Sequence, residues 1–73
     1  MTTEILAVMT GQVTKVHVKE GDRVENGQVV ATINIMKMDY DITSESNGVV
    51  KDVLVKEGSV LKVDDVIMRL ITD

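Results

Sequence analysis

The sequence predicts a small all-β domain, and three observations support that prediction. The β-branched residues Val, Ile and Thr make up 27 of the 73 residues and fall in short runs, with no sustained helical stripe of apolar residues. Turn-forming Gly, Asn and Asp recur between these runs, as they do between strands. The sequence also repeats itself at an offset of 37 residues, so the same strand pattern is expected twice.

The first half of the chain contributes four expected strands, at residues 4–8, 12–18, 23–24 and 28–35. In the second of these, Val16, His17 and Val18 alternate apolar and polar side chains, which is typical of a strand with one buried face. Turn signals separate the strands, at Gly11, Glu20-Gly21 and Asn26-Gly27.

The second half contributes four more expected strands, at residues 38–44, 48–55, 60–61 and 65–71. Turn signals at Asn47-Gly48 and Glu57-Gly58 separate them. Asn-Gly pairs suit turns whose backbone needs a positive φ, so Gly27 and Gly48 are both expected in that conformation. The same is expected of Gly21 and Gly58, which occupy equivalent places in the repeat.

The repeat is strongest in one block, because Val-Lys-Glu-Gly occurs at residues 18–21 and again at 55–58. Gly11 aligns with Gly48 in the same register. Each half is too small to bury its own apolar face, so the two are expected to pack about a quasi-two-fold axis. The expected organisation is a single domain of residues 1–73, with half-repeats at about 11–33 and 48–70 and a hairpin connector at 34–47.

The repeat singles out one residue, Lys37. At the same offset its partner would be position 0 or 74, so the chain is continuous at Lys37 and broken at the equivalent place. Lys37 is therefore expected at a hairpin tip, pointing into solvent, at the pole opposite to the termini. Met36 and Met38 flank it, and two exposed thioethers would form an adaptable apolar platform beside the amine.

The composition limits how the domain is stabilised. There is no Cys and only one His, so neither a disulfide nor a metal site is expected. Nearly every Val, Ile and Leu is expected inside, because so small a chain has little else to bury. No catalytic residue is assigned, since the chain is too short to enclose a large pocket and still fill a core.

Charge and hydropathy exclude further classes of function. A net charge of −4, with no basic run and one aromatic residue, argues against nucleic-acid binding. The apolar runs are far shorter than the ~20 residues that span a bilayer. Residues 1–20 carry four charged side chains and lack the apolar region of a signal peptide. A cytoplasmic protein without membrane contact, monomeric in isolation, is expected.

Five segments form a recognisable set: Val-Lys-Glu-Gly-Asp at 18–22, Asn-Gly-Gln-Val-Val at 26–30, Met-Lys-Met at 36–38, Asn-Gly-Val-Val at 47–50 and Val-Lys-Glu-Gly at 55–58. Together they resemble the biotinyl/lipoyl attachment domain family, specifically its biotin carboxyl carrier branch, from Ile5 to Ile71. The resemblance implies a flattened eight-stranded barrel, a barrel-sandwich hybrid of two four-stranded sheets. The chain has no insertion for the protruding thumb of some family members.

The same resemblance implies a non-catalytic carrier. Lys37 would receive biotin, the covalent cofactor, on its ε-amine from a biotin protein ligase, with Met36 and Met38 as flanking recognition residues. The biotinyl arm would then shuttle CO2 between the biotin carboxylase and carboxyltransferase sites of a biotin-dependent carboxylase or decarboxylase.

Two alternatives remain open. Lipoyl carrier domains of dehydrogenase complexes usually have Asp-Lys-Ala at this turn, so Met36 and Met38 favour biotin over lipoate. An unmodified interaction module with the same fold is the other alternative. It is kept open by Ile35, which is bulky where the family has a small residue and follows Asn34 where the family has glutamate.

Other polar residues are expected to have plainer roles. His17 lies between two apolar residues of a strand and is expected to face solvent rather than to bind or catalyse. The segment Asp39-Tyr40-Asp41 is expected either to contact a partner enzyme or to form a polar outer face.

Overall fold

The computed structural model describes residues 1–72, and all eight expected strands are present. Asp73, the last residue of the predicted domain, lies outside the described residues. No helix in the described part of the chain has the length and apolar character to cross a bilayer. Strands β1 to β8 are Thr2–Leu6, Gly11–Val16, Arg23–Val24, Val29–Ile35, Met38–Thr43, Gly48–Val53, Val60–Leu61 and Val66–Thr72.

The strand boundaries differ from the predicted ones at a few ends. β1 begins at Thr2 because that residue already pairs with Ile71 of β8, and it ends at Leu6, where the register shifts. β2 and β6 end at Val16 and Val53, two residues earlier than expected. The chain leaves both strands there to enter the repeated Val-Lys-Glu-Gly corners.

The strands form two antiparallel sheets of four, as the resemblance implies. One sheet has the order β1-β8-β6-β3 and the other the order β5-β4-β2-β7. No strand pairing joins the two sheets within residues 1–72. A groove of 440 Å³ lies between the edge strands β1 and β5 and is lined by residues of both, including Ile5 and Ile42. The fold is thus a flattened sandwich, open along this side rather than closed into a barrel.

The internal repeat is visible in the strands. A shift of 37 residues carries β1, β2, β3 and β4 onto β5, β6, β7 and β8. Equivalent strands lie in different sheets, so each sheet takes two strands from each half of the chain. The equivalent corners also match, because the Lys19 amide donates to Asp22 Oδ2 (2.9 Å) and the Lys56 amide donates to Ser59 Oγ (3.0 Å).

The glycines that were predicted to adopt a positive φ are required for two different reasons. Gly21, Gly27 and Gly58 have φ near +90°, as expected. Gly48 does not, so the turn prediction for it was wrong. It is the first residue of β6, and a Cβ there would collide with the carbonyl oxygen of Ile71. Close approach of two backbones, rather than turn geometry, explains this glycine.

The core fills the space between the sheets with aliphatic side chains. Its largest fully buried members are Val13, Val24, Val30, Ile33, Val50, Ile67, Met68 and Leu70. The expectation that nearly every Val, Ile and Leu is inside was wrong, because the sandwich has one inner face per sheet and the strands are short. Six aliphatic residues are exposed, namely Leu6, Val8, Leu54, Val60, Val63 and Ile71.

Candidate functional site

Lys37 lies in a two-residue turn between β4 and β5. Ile35 pairs with Met38 across the turn, and the two residues between them, Met36 and Lys37, have φ of 51° and 67°. Positive φ at both positions is the geometry of a type I′ hairpin turn, which Asn-Gly normally occupies. An L-residue other than Gly or Asn costs roughly 1–2 kcal/mol in this region. The turn therefore holds two strained residues that ordinary hairpin preferences do not select.

The side chains of this turn are accessible. Lys37 is exposed, Met36 is 92% exposed and Met38 is 60% exposed. Among the described residues, no hydrogen bond or ion pair engages the Lys37 amine. The Tyr40 hydroxyl donates to Met38 Sδ (3.8 Å). The structure thus places a primary amine in solvent between two thioethers.

The neighbours of Asn34 and Ile35 explain why these residue types fit the two positions before the turn. Asn34 Nδ2 donates to Asp39 Oδ1 (3.0 Å) across the strand pair, where a glutamate would face a second carboxylate. Ile35 is buried, and its Cγ1 lies 2.8 Å from where a Cβ on Gly11 would be. The bulk of Ile35 is therefore accommodated in the core and is absent from the surface around Lys37.

The other polar residues singled out in the sequence lie away from the amine. His17 is exposed, as expected, and its Nε2 lies 2.9 Å from Thr32 Oγ1. The Thr32 hydroxyl in turn donates to Asp41 Oδ1 (3.2 Å). These groups form a polar row on the outer face of one sheet. No cluster of acidic or imidazole side chains among residues 1–72 could hold a metal ion.

The chain termini lie at the other end of the molecule from Lys37. The Thr72 amide donates to the Met1 carbonyl (2.7 Å), which repeats the pairing of Ile35 with Met38 at the equivalent place. Met1 and Thr72 line a depression with residues 45–47, which follow the end of β5 farthest from the lysine turn. This is the arrangement that the repeat predicts.

Two features of the lysine end of the molecule were missed in the sequence. Positive φ at Met36 gives no local signal, because a Met-Lys pair is not a turn motif. Val8, Met9 and Val63 are exposed near the lysine turn. Comparing the two half-repeats could have found them, since their equivalents at the offset of 37 are the polar Glu45, Ser46 and Asn26.

Comparisons with known proteins find similarity over most of the chain. The family described as "Biotin-requiring enzyme" matches residues 1–70. A biotin/lipoyl attachment protein of Bacillus subtilis is 45% identical over 62 residues, covering 85% of each chain. The propionyl-CoA carboxylase alpha chain of Ruegeria pomeroyi is 42% identical over 65 residues, which is 89% of this chain but only 10% of that protein.

Solved structures give the same fold. A single-chain, multi-domain long-chain acyl-CoA carboxylase superposes with a TM-score of 0.92 at 22% identity, covering 99% of this chain and 7% of that one. The urea carboxylase of Kluyveromyces lactis gives a TM-score of 0.90 at 25% identity over 97% of this chain and 6% of its own. The chain therefore spans most of one small relative and a tenth or less of these large carboxylases.

Proposed function

The chain belongs to the biotin/lipoyl attachment family, and on that premise we propose that it carries biotin on the ε-amine of Lys37. The observation that carries the proposal is the position of that amine. It is exposed at the tip of a two-residue turn, between two exposed methionines, with no partner among the described side chains. Such a group is open to an enzyme that must reach it, and its position is fixed by the strands on either side.

The proposed modification is formation of one amide bond. A biotin protein ligase presents the biotin carboxyl group as an activated acyl adenylate, and the neutral Lys37 Nζ attacks its carbonyl carbon. The bond from that carbon to the adenylate phosphate breaks, and AMP leaves. The former ammonium loses two protons in all, so its positive charge disappears and the net charge of the chain falls by one from −4.

The ligase must supply the base for this reaction. The nearest carboxylate in sequence, Asp39, accepts a hydrogen bond from Asn34 on the outer face of the sheet. No hydrogen bond or ion pair within residues 1–72 connects it to the amine. The role of this chain is accordingly positional, because the sandwich holds the amine at one pole and leaves deprotonation to the partner.

Once attached, biotin supplies the chemistry of carrying CO2. The carrier contributes a rigid support and a high effective concentration of the arm at each site it visits. We propose that residues 1–73 act as one non-catalytic carrier domain, that Met36 and Met38 are read by the ligase, and that the partners are carboxylase and carboxyltransferase sites. The carboxylases among the similar proteins support this assignment of partners.

One observation favours a second candidate function. The similar Bacillus subtilis protein is named as an attachment protein for biotin or lipoyl groups. Lys37 could receive a lipoyl group by the same amide chemistry, in which case the carrier would serve a dehydrogenase complex. The methionines on both sides of Lys37 favour biotin.

Intact mass spectrometry tests the proposal. The chain is produced with a biotin protein ligase and, separately, with a lipoate ligase, each with ample cofactor. We expect the mass of one biotinyl group to be added in the first case, located on Lys37 by fragmentation, and lost in Lys37→Arg, which keeps the charge. A lipoyl increment alone would support the second candidate. No increment with either ligase would indicate an unmodified interaction module and refute the carrier function.

A further inference from the structure

The two poles of this molecule are equivalent in backbone but opposite in polarity. At the lysine pole, Val8, Met9 and Val63 are 76%, 50% and 55% exposed. At the opposite pole their equivalents are Glu45, Ser46 and Asn26, which line one depression beside Met1 and Thr72. The backbone of this fold therefore accepts polar side chains at all three places, so its geometry does not require apolar ones at the lysine pole.

The strand register places these apolar residues at the same end of one sheet as Lys37. Leu61 of β7 pairs with Gly11 of β2, and Gly11 packs on Ile35 at the end of β4. Leu61, Gly11 and Ile35 stand at this end of their strands. Beyond them the chain continues as residues 62–63, 8–10 and 36–37, respectively. The three segments thus project from the same end of one sheet. Val8, Met9 and Val63, with Met36 and Met38, form what we call the apolar collar of Lys37.

The collar is held by the backbone on both sides. The Ala7 amide donates to the Asp65 carbonyl (2.8 Å) and the Asp64 amide donates to the Ala7 carbonyl (2.8 Å). Residues 62–65 form a turn, because the Asp65 amide donates to the Lys62 carbonyl (3.0 Å). Val8 and Val63 are therefore presented by ordered segments. A contiguous group of exposed apolar side chains is typical of an interaction surface.

We propose that the apolar collar is the surface on which the rim of the biotin protein ligase active site docks when it acylates Lys37. This inference rests on the proposed function and names the partner surface for it. The unmodified side chain is a four-carbon stem, so the ligase must bring its reacting carbonyl close to the tip and seat on the residues beside it. After modification the arm is longer, and enzymes that act on the attached group can stand farther away. The need for close seating therefore falls on the ligase.

The collar also indicates the chemistry of the surface that fits it. Three of its five members are methionines, whose flexible thioethers adapt to an apolar partner surface. Asp39 and Asp64 are exposed beside it, with Lys62 as the neighbouring cation. The complementary rim is apolar at its centre, with basic side chains placed to meet the two carboxylates.

The fold itself supplies the test. A variant with Val8→Glu, Met9→Ser and Val63→Asn gives the lysine pole the residues that the opposite pole carries at the same backbone positions, and Met36, Lys37 and Met38 are untouched. A matched control is Ile71→Asn, which replaces an exposed apolar residue of the opposite pole by its own equivalent, Asn34. Steady-state kinetics with a ligase that biotinylates the wild-type chain give kcat and KM for each protein.

We expect kcat/KM of the triple variant to fall by about tenfold or more, mainly through KM, because a few residues at the centre of an interface carry most of the energy of docking. The control should stay within about twofold of wild type, and Val8→Ile with Met9→Leu and Val63→Ile should restore the wild-type rate. Thermal melts followed by circular dichroism verify folding, and Val63→Asn alone serves if the triple variant does not fold. A folded collar variant that is biotinylated at the wild-type rate would overturn the inference. A wild-type chain that accepts no biotin would instead refute the proposed function.

Discussion

The strained turn at the tip predicts that the folded chain becomes more stable when Met36 and Lys37 are both replaced by glycine. We compare two double variants, Met36→Gly with Lys37→Gly, and Met36→Ala with Lys37→Ala. Both pairs remove the same exposed side chains, and Lys37 has no partner among the described residues to lose. The pairs differ in whether the new residues tolerate the φ values of 51° and 67°, and in the entropy of the unfolded chain.

The magnitude follows from two opposing effects. Placing glycine in the left-handed region removes a folded-state cost of about 1–2 kcal/mol at each position. Glycine also raises the entropy of the unfolded chain, which costs about 0.4–1 kcal/mol at each position relative to alanine. The net advantage of the glycine pair over the alanine pair is then about 2 kcal/mol. For a domain of this size each kcal/mol shifts Tm by roughly 4–8 °C, so a difference of about 8–16 °C is expected.

Differential scanning calorimetry of the two variants and of wild type measures this directly. We expect the glycine pair to melt well above both the alanine pair and wild type, and the alanine pair to melt near wild type. Urea midpoints that shift with unchanged m-values would confirm a change in stability without a change in the surface exposed on unfolding. A glycine pair that melts below the alanine pair would show that the turn is unstrained, because only the entropic cost of glycine would then remain.

Two further predictions concern packing and charge. Gly11→Ala should destabilise the domain by about 1–3 kcal/mol in urea unfolding, because its Cβ would lie 2.8 Å from the Asn34 carbonyl oxygen; an unchanged midpoint would contradict this. Arg69→Met should cost less than about 1 kcal/mol, because its ion pairs with Glu4 (3.2 Å) and Asp52 (3.6 Å) are exposed to solvent. The loss of stability caused by Arg69→Met should vanish in about 1 M salt, which screens exposed ion pairs. A larger loss of stability that persists at this salt concentration would indicate that the arginine stem contributes by packing.

Local residue patterns and the internal repeat were sufficient to predict the strands and the position of Lys37. The strands follow from β-branched runs between turn residues, and Lys37 follows from the repeat, which maps it onto the gap between the termini. These features depend on neighbours in sequence or on a fixed offset. Both are visible without knowing which surfaces come together.

Features that depend on tertiary contacts were not predictable in this way. Gly48 follows Asn47 like a turn residue, yet it is a strand residue that lets the backbone approach Ile71. The apolar character of Val63 indicated burial, but its segment projects beyond the end of a sheet and remains exposed. Positive φ at Met36 arises because a two-residue connection between twisted strands demands it, whatever residues are present.

The interleaving of the two halves gives the turn at Met36 and Lys37 one more role. Residues 1–35 and 38–72 each supply two strands to each sheet, and this turn is the only stretch of chain that connects them. Were that link cut, folding would become the association of two separate chains, and stability would depend on their concentration. The two residues exposed at the tip of this turn thus join what would otherwise be two associated chains into a single molecule.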